Sequence, residues 1–416
     1  MRVYLDTLGC RLNAAESEVL ARRFLGAGCT LVPAPEAADV LVLNTCAVTS
    51  QAAKRSRHRV RALHRANPQA RIACVGCWAT AHPEAASAYP GVAWMIPNAE
   101  KAEAVERILG RAADPAPWQP GVWRHTRAFL GVQDGCDHTC TYCITRVLRG
   151  SARSRPLDEI VRSVRALVAQ GAQEVVLTGV SLGSYGQDLA DAPPLASLVA
   201  ALLDQTEVPR LRLSSIEPWD VDEALLRQWE DPRLCRQLHV PLQSGSDRIL
   251  KRMGRPLTTA AFARMVARAR EIAPAMAVTT DVLVGFPGET EADFEESLAF
   301  VEETAFARLH VFRYSEREGT PAVRLPDRVP HRVRTARSKR MRRLGRQLAA
   351  AYRKRFVGEV LPVLWEQRDA EGRWQGLTDN YLAVTTASAD ELYNRIMPVR
   401  LVAVEGRHLR GELCQV

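Results

Sequence analysis

No stretch of this chain approaches the ~18 uninterrupted apolar residues that a membrane-spanning helix requires, which argues against a protein anchored by such helices. The opening decapeptide, MRVYLDTLGC, lacks the apolar centre of a secretion signal, so no signal peptide and a cytoplasmic location are expected. Low-complexity tracts are missing as well, and 47% hydrophobic with 25% charged residues is the composition of a folded protein. Lysine is scarce, at five of the 56 basic residues. With Ala abundant, this has the stamp of a GC-rich coding bias, so Arg frequency alone supports no functional reading. The most informative shortage is local. Residues 133–156, QDGCDHTCTYCITRVLRGSARSRP, hold three cysteines spaced C-x3-C-x2-C and no fourth. A structural zinc site closes with four ligands, and this loop stops one short.

What is present is enough for two or three domains: 416 residues, with ten cysteines that in a reducing compartment read as metal ligands or core thiols rather than disulfides. The net charge of +9 is concentrated. Residues 324–355 carry 13 Lys and Arg against one Asp, a local +12 that leaves the rest of the chain at −3. A basic segment on a mildly acidic body suits a phosphate-rich partner. A second basic run, KRSRHRVRALHR at 54–65, reads equally as a solvated helix face.

The pattern divides the chain into 1–112, a linker at 113–127, a repeating unit at 128–330, a basic helix at 331–356 and a small domain at 357–416. In the first part, RVYLDTL, DVLVLNT, ARIACVG and VAWMI alternate with helical segments at 14–27, 50–66 and 99–109, which predicts an α/β domain on a parallel sheet. Pro-rich AADPAPWQPGVW marks the linker. A βα rhythm of roughly 35 residues follows. Strands are expected at 129–133, 174–178, 211–215, 238–242, 278–284 and 309–314, and helices at 157–170, 195–203, 222–229, 259–272 and 291–303. Six such units predict a partial (β/α)6 barrel, whose chemistry belongs at the C-terminal strand ends. Met341, Leu344, Leu348 and Tyr352 give the basic helix an apolar stripe. The period then changes to two in GEVLPVLWEQ, NYLAVTT and PVRLVAVEG, which predicts a small antiparallel β-barrel.

Three thiolates on one loop suit a [4Fe–4S] cluster with one iron left open. An open iron can chelate the amine and carboxylate of S-adenosylmethionine. Cys136, Cys140 and Cys143, with Tyr142 beside the last, follow the first barrel strand, and this pattern resembles the radical S-adenosylmethionine superfamily. LGC at 8–10, NTC at 44–46 and VGC at 75–77 place Cys10, Cys46 and Cys77 near strand ends of the first domain, where residues distant in sequence converge. A second three-thiolate cluster there resembles the methylthiotransferases, which carry two [4Fe–4S] clusters and end in a small TRAM β-barrel. The likeness spans essentially the whole chain through LTGVSLGSYG, RLSSIEP, LHVPLQSGSDRILKRM, TDVLVGFPGET, HVFRYSEREGTPA and GLTDNYLAV.

That resemblance implies the remaining expectations. TGVSLGSYG and SSIEP are similar to the enzymes acting on threonylcarbamoyladenosine in tRNA; isopentenyladenosine and a ribosomal-protein Asp are the alternatives within the family, and a non-catalytic iron–sulfur RNA-binding module is the alternative outside it. The substrate would be adenosine 37, in the anticodon stem-loop, with one S-adenosylmethionine methylating sulfur at the first-domain cluster and a second cleaved at the Cys136/Cys140/Cys143 cluster to take hydrogen from adenine C2. An external electron donor is implied, and the sulfur source is left open. By the same analogy Gly179, Ser214, Glu217 and Gln243 are candidate S-adenosylmethionine contacts, with a helix cap as the bland reading of Glu217. Arg146 and Arg313 stand where family members often have proline. Cys29, Cys74, Cys235 and Cys414 read as core residues, and Cys77 is preferred to Cys74 as a ligand because Cys74 falls inside the apolar run IACV. His239 and His310 read as core or supporting groups rather than metal ligands.

Overall fold

The computed structural model describes residues 1–123 and 125–414. Its first unit is a parallel sheet in the order β2-β1-β3-β4-β5, built from β1 (Arg2–Thr7), β2 (Thr30–Leu31), β3 (Val40–Thr45), β4 (Arg71–Gly76) and β5 (Val92–Ile96). β3 is buried along its whole length, as a central parallel strand covered on both faces must be. Helix α1 (Arg11–Gly26) lays Leu20 and Phe24 on one face of the sheet, while α2 (Ser50–Ala66) lays Val60 and Leu63 on the other. Thr49 caps α2, its hydroxyl accepting from Ala52 N at 3.0 Å. A short helix α3 (Cys77–Ala81) starts directly from β4. The helix expected over 99–109 is instead a 3₁₀ segment, Asn98–Glu103, that passes into α4 (Ala104–Leu109).

Six parallel strands then form an open array: β6 (Ala128–Gly131), β9 (Val175–Thr178), β10 (Leu211–Leu213), β11 (Gln237–His239), β12 (Ala277–Val284) and β13 (Arg308–Arg313). Parallel bridges between Leu211 and Leu234 and between Ser215 and His239 join the two three-stranded halves. A small antiparallel pair, β7 (Gln133–Asp134) with β8 (Arg153–Ser154), brackets α5 (Thr145–Arg149). Outer helices α6 (Leu157–Ala169), α7 (Leu195–Gln205), α8 (Glu223–Arg227), α10 (Thr259–Ile272) and α11 (Glu291–Thr304) bury the core against one strand face, with Val175, Leu177, Leu211, Leu213, Leu238, Val278 and Val282 turned toward them. A further short helix, α9 (Asp247–Arg252), follows β11 and was not expected from the sequence. α11 opens with a capping box between Thr290 and Asp293.

Strand alternation turns the neighbouring residues inward. On β6 and β9 that inner face is partly covered: Phe129 and Val176 pack on Ala15 of α1, so the first unit docks into the open side of the barrel.

Helix α12 (His331–Lys354) packs Met341, Leu344 and Leu348 on the outer core, and Gly345 lets it approach Leu309, since a Cβ there would lie 3.1 Å from the Leu309 side chain. The chain ends in a closed barrel in the order β14-β15-β16-β18-β17, from β14 (Val360–Arg368), β15 (Trp374–Thr378), β16 (Ala383–Thr386), β17 (Ile396–Glu405) and β18 (His408–Leu413). It is not wholly antiparallel as expected: β18 turns back from β17 through a tight hairpin and so runs parallel to β16. The segment GLTDNYLAV locks this barrel to the central one. Arg212, fully buried, pairs with Glu174 at 2.7 Å and donates to Asp379 O at 2.8 Å and Thr378 O at 3.2 Å. No helix among the described residues is long and apolar enough to cross a membrane.

Candidate functional site

The three-cysteine loop is a short excursion between β7 and α5. It is held by Cys136 N donating to Gly150 O at 3.1 Å, Cys143 N to Cys140 O at 3.1 Å and Thr141 N to Met253 O at 2.9 Å. Gly135 is required here. Its φ is +71°, and a Cβ would lie 1.9 Å from Ser151 O. All three thiols are half-buried. Burial pushes Cys136 up and Cys140 to about 11, while the nearby Arg255 guanidinium works against burial at Cys140.

Arg255 is the cation of this site, and the sequence reading missed it. Its Nη1 lies 4.0 Å from Cys140 Sγ, and its Nη2 donates to Glu217 Oε2 at 2.7 Å and Pro241 O at 2.6 Å. Trp219 lies under the guanidinium at 4.6 Å. Glu217 thus binds Arg255, and its side chain makes no helix-capping bond. Gly179 presses on Gln133, where a Cβ would meet Oε1 at 2.9 Å, and Gln133 in turn donates to Gly135 O at 2.9 Å. Ser214 is buried with its hydroxyl lacking a partner among the described residues. Gln243 has a φ of +70°, and its N donates to Asp281 O at 2.8 Å. Gly179 and Glu217 therefore meet the cysteine loop through Gln133 and Arg255. Ser214 and Gln243 lie at the ends of β10 and β11.

Cys10, Cys46 and Cys77 come together at the edge of the first sheet, where burial first, and the nearby Cys77 and Cys10 charges after it, push the Cys46 thiol up to about 11. Gly9, at φ +106°, allows this approach: a Cβ there would stand 2.9 Å from Cys46 Sγ. Gly76, at φ +96°, turns the chain so that Cys77 begins α3. Cys74 is packed within the sheet core instead, and burial raises it to about 12. Cys29 and Cys235 are buried and Cys414 half-buried. Neither thiol triad draws its sulfurs within 4.8 Å of one another, as ligands of a single ion would be drawn.

The two thiol sites share one wall. Arg149, the last residue of α5, donates to Glu16 Oε1 at 2.9 Å, Asp134 Oδ1 at 2.8 Å and Asn13 Oδ1 at 2.7 Å. Asn13 lies 3.7 Å from Cys10 Sγ. Asn98 Nδ2 reaches Cys77 Sγ at 3.4 Å and Leu148 O at 2.8 Å. Ile144 and Leu148 are buried with Trp78 in the core of the first unit. The cysteine loop is thus anchored by the domain that holds the other triad. Arg146 is exposed on α5, and Arg313 turns outward to α12, donating to Thr335 Oγ1 at 2.9 Å. His239 and His310 are not core residues: both flank Asp281 on the inner strand face.

Residues 130–301 match the Radical SAM superfamily, and residues 2–96 match Uncharacterized protein family UPF0004. The threonylcarbamoyladenosine tRNA methylthiotransferase MtaB of Bacillus subtilis is 34% identical, over 100% of this chain and 96% of the relative. The enzyme of that name from Thermotoga maritima is 37% identical, over 91% of this chain and 90% of the relative. Among solved structures, the radical S-adenosylmethionine methyltransferase TsrM of Kitasatospora setae shares the fold with a TM-score of 0.55 and 17% identity, over 77% of each chain. Full-length identity at this level, joined to two three-thiol sites on one wall, places the chain in the radical S-adenosylmethionine methylthiotransferase family.

Proposed function

We propose that this enzyme methylthiolates C2 of N6-threonylcarbamoyladenosine at position 37 of tRNA, entered through the anticodon stem-loop. It is a radical S-adenosylmethionine methylthiotransferase, and its cofactors are two [4Fe–4S] clusters and S-adenosylmethionine. Cys136, Cys140 and Cys143 would hold one cluster, and Cys10, Cys46 and Cys77 the other. When bound, the first supplies the electron that cleaves S-adenosylmethionine reductively, and the second supplies the site at which sulfur is methylated.

The chain's own residues set the conditions for this. Arg255, locked by Glu217 and the Pro241 carbonyl, keeps a fixed positive charge beside Cys140 and offsets part of the cost of gathering thiolates. Arg149 does the same between Cys10 and Cys77, with its own charge balanced by Glu16 and Asp134. Ile144, Leu148 and Trp78 exclude water from the shared wall. Gly179, Ser214 and Gln243 line the space in which S-adenosylmethionine would lie, and the unpartnered Ser214 hydroxyl is a free hydrogen-bonding group for it. An adenine C–H is neither acidic nor hydridic enough for acid–base chemistry, so the base has to leave its stack and reach the cofactor.

The observation that supports this reading is the shared wall, through which the loop of one thiol triad is anchored on the unit that holds the other. Mass analysis of tRNA nucleosides from a strain lacking the gene tests the substrate. Loss of the 2-methylthio derivative of threonylcarbamoyladenosine is expected. Loss of the isopentenyladenosine derivative instead, or of a methylthiolated ribosomal-protein Asp, would reassign it.

A further inference from the structure

Facing inward on three successive strands, His239, Asp281 and His310 form a group unlike the rest of the inner wall. Among the described residues it is the only set of three or more His, Cys, Asp or Glu whose ligand atoms all lie within 4.8 Å of one another. The strands impose the arrangement: Asp281 pairs with His310 in register, and His239 pairs with Thr279, two residues along the same face of β12. Both imidazoles address one oxygen. His239 Nε2 lies 3.4 Å, and His310 Nδ1 3.1 Å, from Asp281 Oδ1. Charged N–H···O bonds usually close to about 2.7–2.9 Å. Two ligands at about 2.0–2.1 Å from a tetrahedral ion stand ~3.3 Å apart. The His239 separation matches an edge of a coordination polyhedron and is long for a hydrogen bond, while the His310 separation suits such an edge and an ordinary hydrogen bond alike.

The ring orientation is also arranged. Thr279 Oγ1 lies 2.8 Å from His239 Nδ1 and so directs Nε2 at Asp281, the type of outer support that metal-binding histidines have. The Asp281 backbone is fixed by Gln243 N donating to its carbonyl at 2.8 Å. Two imidazoles and one carboxylate form the set that binds first-row divalent cations with coordination positions left open.

We infer that His239, Asp281 and His310 form a binding site for one divalent first-row metal ion inside the central barrel, separate from both thiol triads. Its open positions face the barrel interior. The inference does not depend on which nucleoside the enzyme modifies.

Zinc is the probe. Full-length protein with its clusters reconstituted is dialysed to equilibrium against Zn²⁺, and zinc and iron are counted per chain. Wild type is expected to retain about one zinc with about eight irons unchanged, and His310→Gln and Asp281→Asn to lose that zinc with iron intact. Zinc-edge X-ray absorption of the wild type is expected to show a nitrogen and oxygen shell at about 2.0–2.1 Å with imidazole scattering. Because this reading is element-specific and needs no variant, it stands even where a substitution disturbs folding. No retained zinc, equal retention in both variants, or a sulfur shell at about 2.3 Å overturns the inference.

Discussion

Arg149 and Glu16 form a two-point ion pair at the junction of the two thiol sites: Nη1 meets Oε1 at 2.9 Å and Nη2 meets Oε2 at 3.2 Å. One residue ends the helix after the cysteine loop and the other belongs to the first helix of the chain. Removing one member of a buried pair costs about 3–5 kcal/mol when the other is left alone. Glu16 keeps Lys101 at 2.6 Å, so Arg149→Met should destabilise by less than that. Its main effect should be on coupling, because ~1.4 kcal/mol of lost positioning is a tenfold rate loss. Methylthiolated product is expected to fall about tenfold or more while S-adenosylmethionine cleavage persists. The two rates measured on one preparation check this, and an equal fall in both would reduce Arg149 to a folding role.

The two cysteine triads should be separable. Cys143→Ala is expected to abolish both 5′-deoxyadenosine formation and product. Cys46→Ala should retain cofactor cleavage and lose methylthiolation. Each variant, purified without oxygen, should hold about four irons per chain where wild type holds about eight. Equal loss of both activities in Cys46→Ala would count against two distinct clusters.

The basic helix α12 splits into two groups of cations. Arg337 is buried against Glu289 and Glu291, Arg340 pairs with Glu291 and Glu295, and Arg334 and Arg342 donate to the Tyr314 and Val311 carbonyls. Arg332, Lys339, Arg343 and Arg346 are exposed. Reversing Arg343 and Arg346 to Glu should weaken tRNA binding and flatten its dependence on salt by about 0.7–0.9 per lost phosphate contact. Arg337→Met should lower thermal stability and leave the salt slope unchanged. Binding titrations at several salt concentrations separate the two, and an unchanged slope in the first variant would assign the whole helix to scaffold.

Much of this architecture could be read from the sequence because hydrophobic period reports which face of an element is buried. The helices at 50–66 and 259–272 appear with the expected ends, and all six barrel strands lie within a few residues of expectation. The cysteines were legible because their spacing is local or follows a strand end. Arg149, Arg255, Asn13 and Asn98 were not, since nothing in a single chain marks which of many arginines folds back onto a thiol. Nor did the basic run at 324–355 disclose that several of its charges are used internally. The histidines at 239 and 310, read as core or supporting groups, lie beside Asp281 on the inner face, and alternation alone does not say which face of a barrel strand is open.

Tyr381 joins all three parts of the molecule. Arg11, next to Cys10, reaches its hydroxyl at 3.3 Å, and Arg127 and Arg212 approach its ring at 5.8 and 4.8 Å. Burial would raise the phenol, but the Arg127, Arg11 and Arg212 charges outweigh it and hold the pKa at about 8. An unfolded tyrosine titrates near ~10. The folded value is the lower one, so the ionised phenol stabilises the fold fully above about pH 10, and the contribution fades as pH falls through about 8. Tyr381→Phe lacks it at every pH. The difference in denaturation midpoint between wild type and Tyr381→Phe should therefore widen from pH 8 to pH 10, by up to ~1.4 kcal/mol per pH unit. Effects of alkali on other groups are common to both proteins and cancel in the difference. A gap that stays constant across that range would mean that Tyr381 remains neutral and serves only as a packed ring between the arginines.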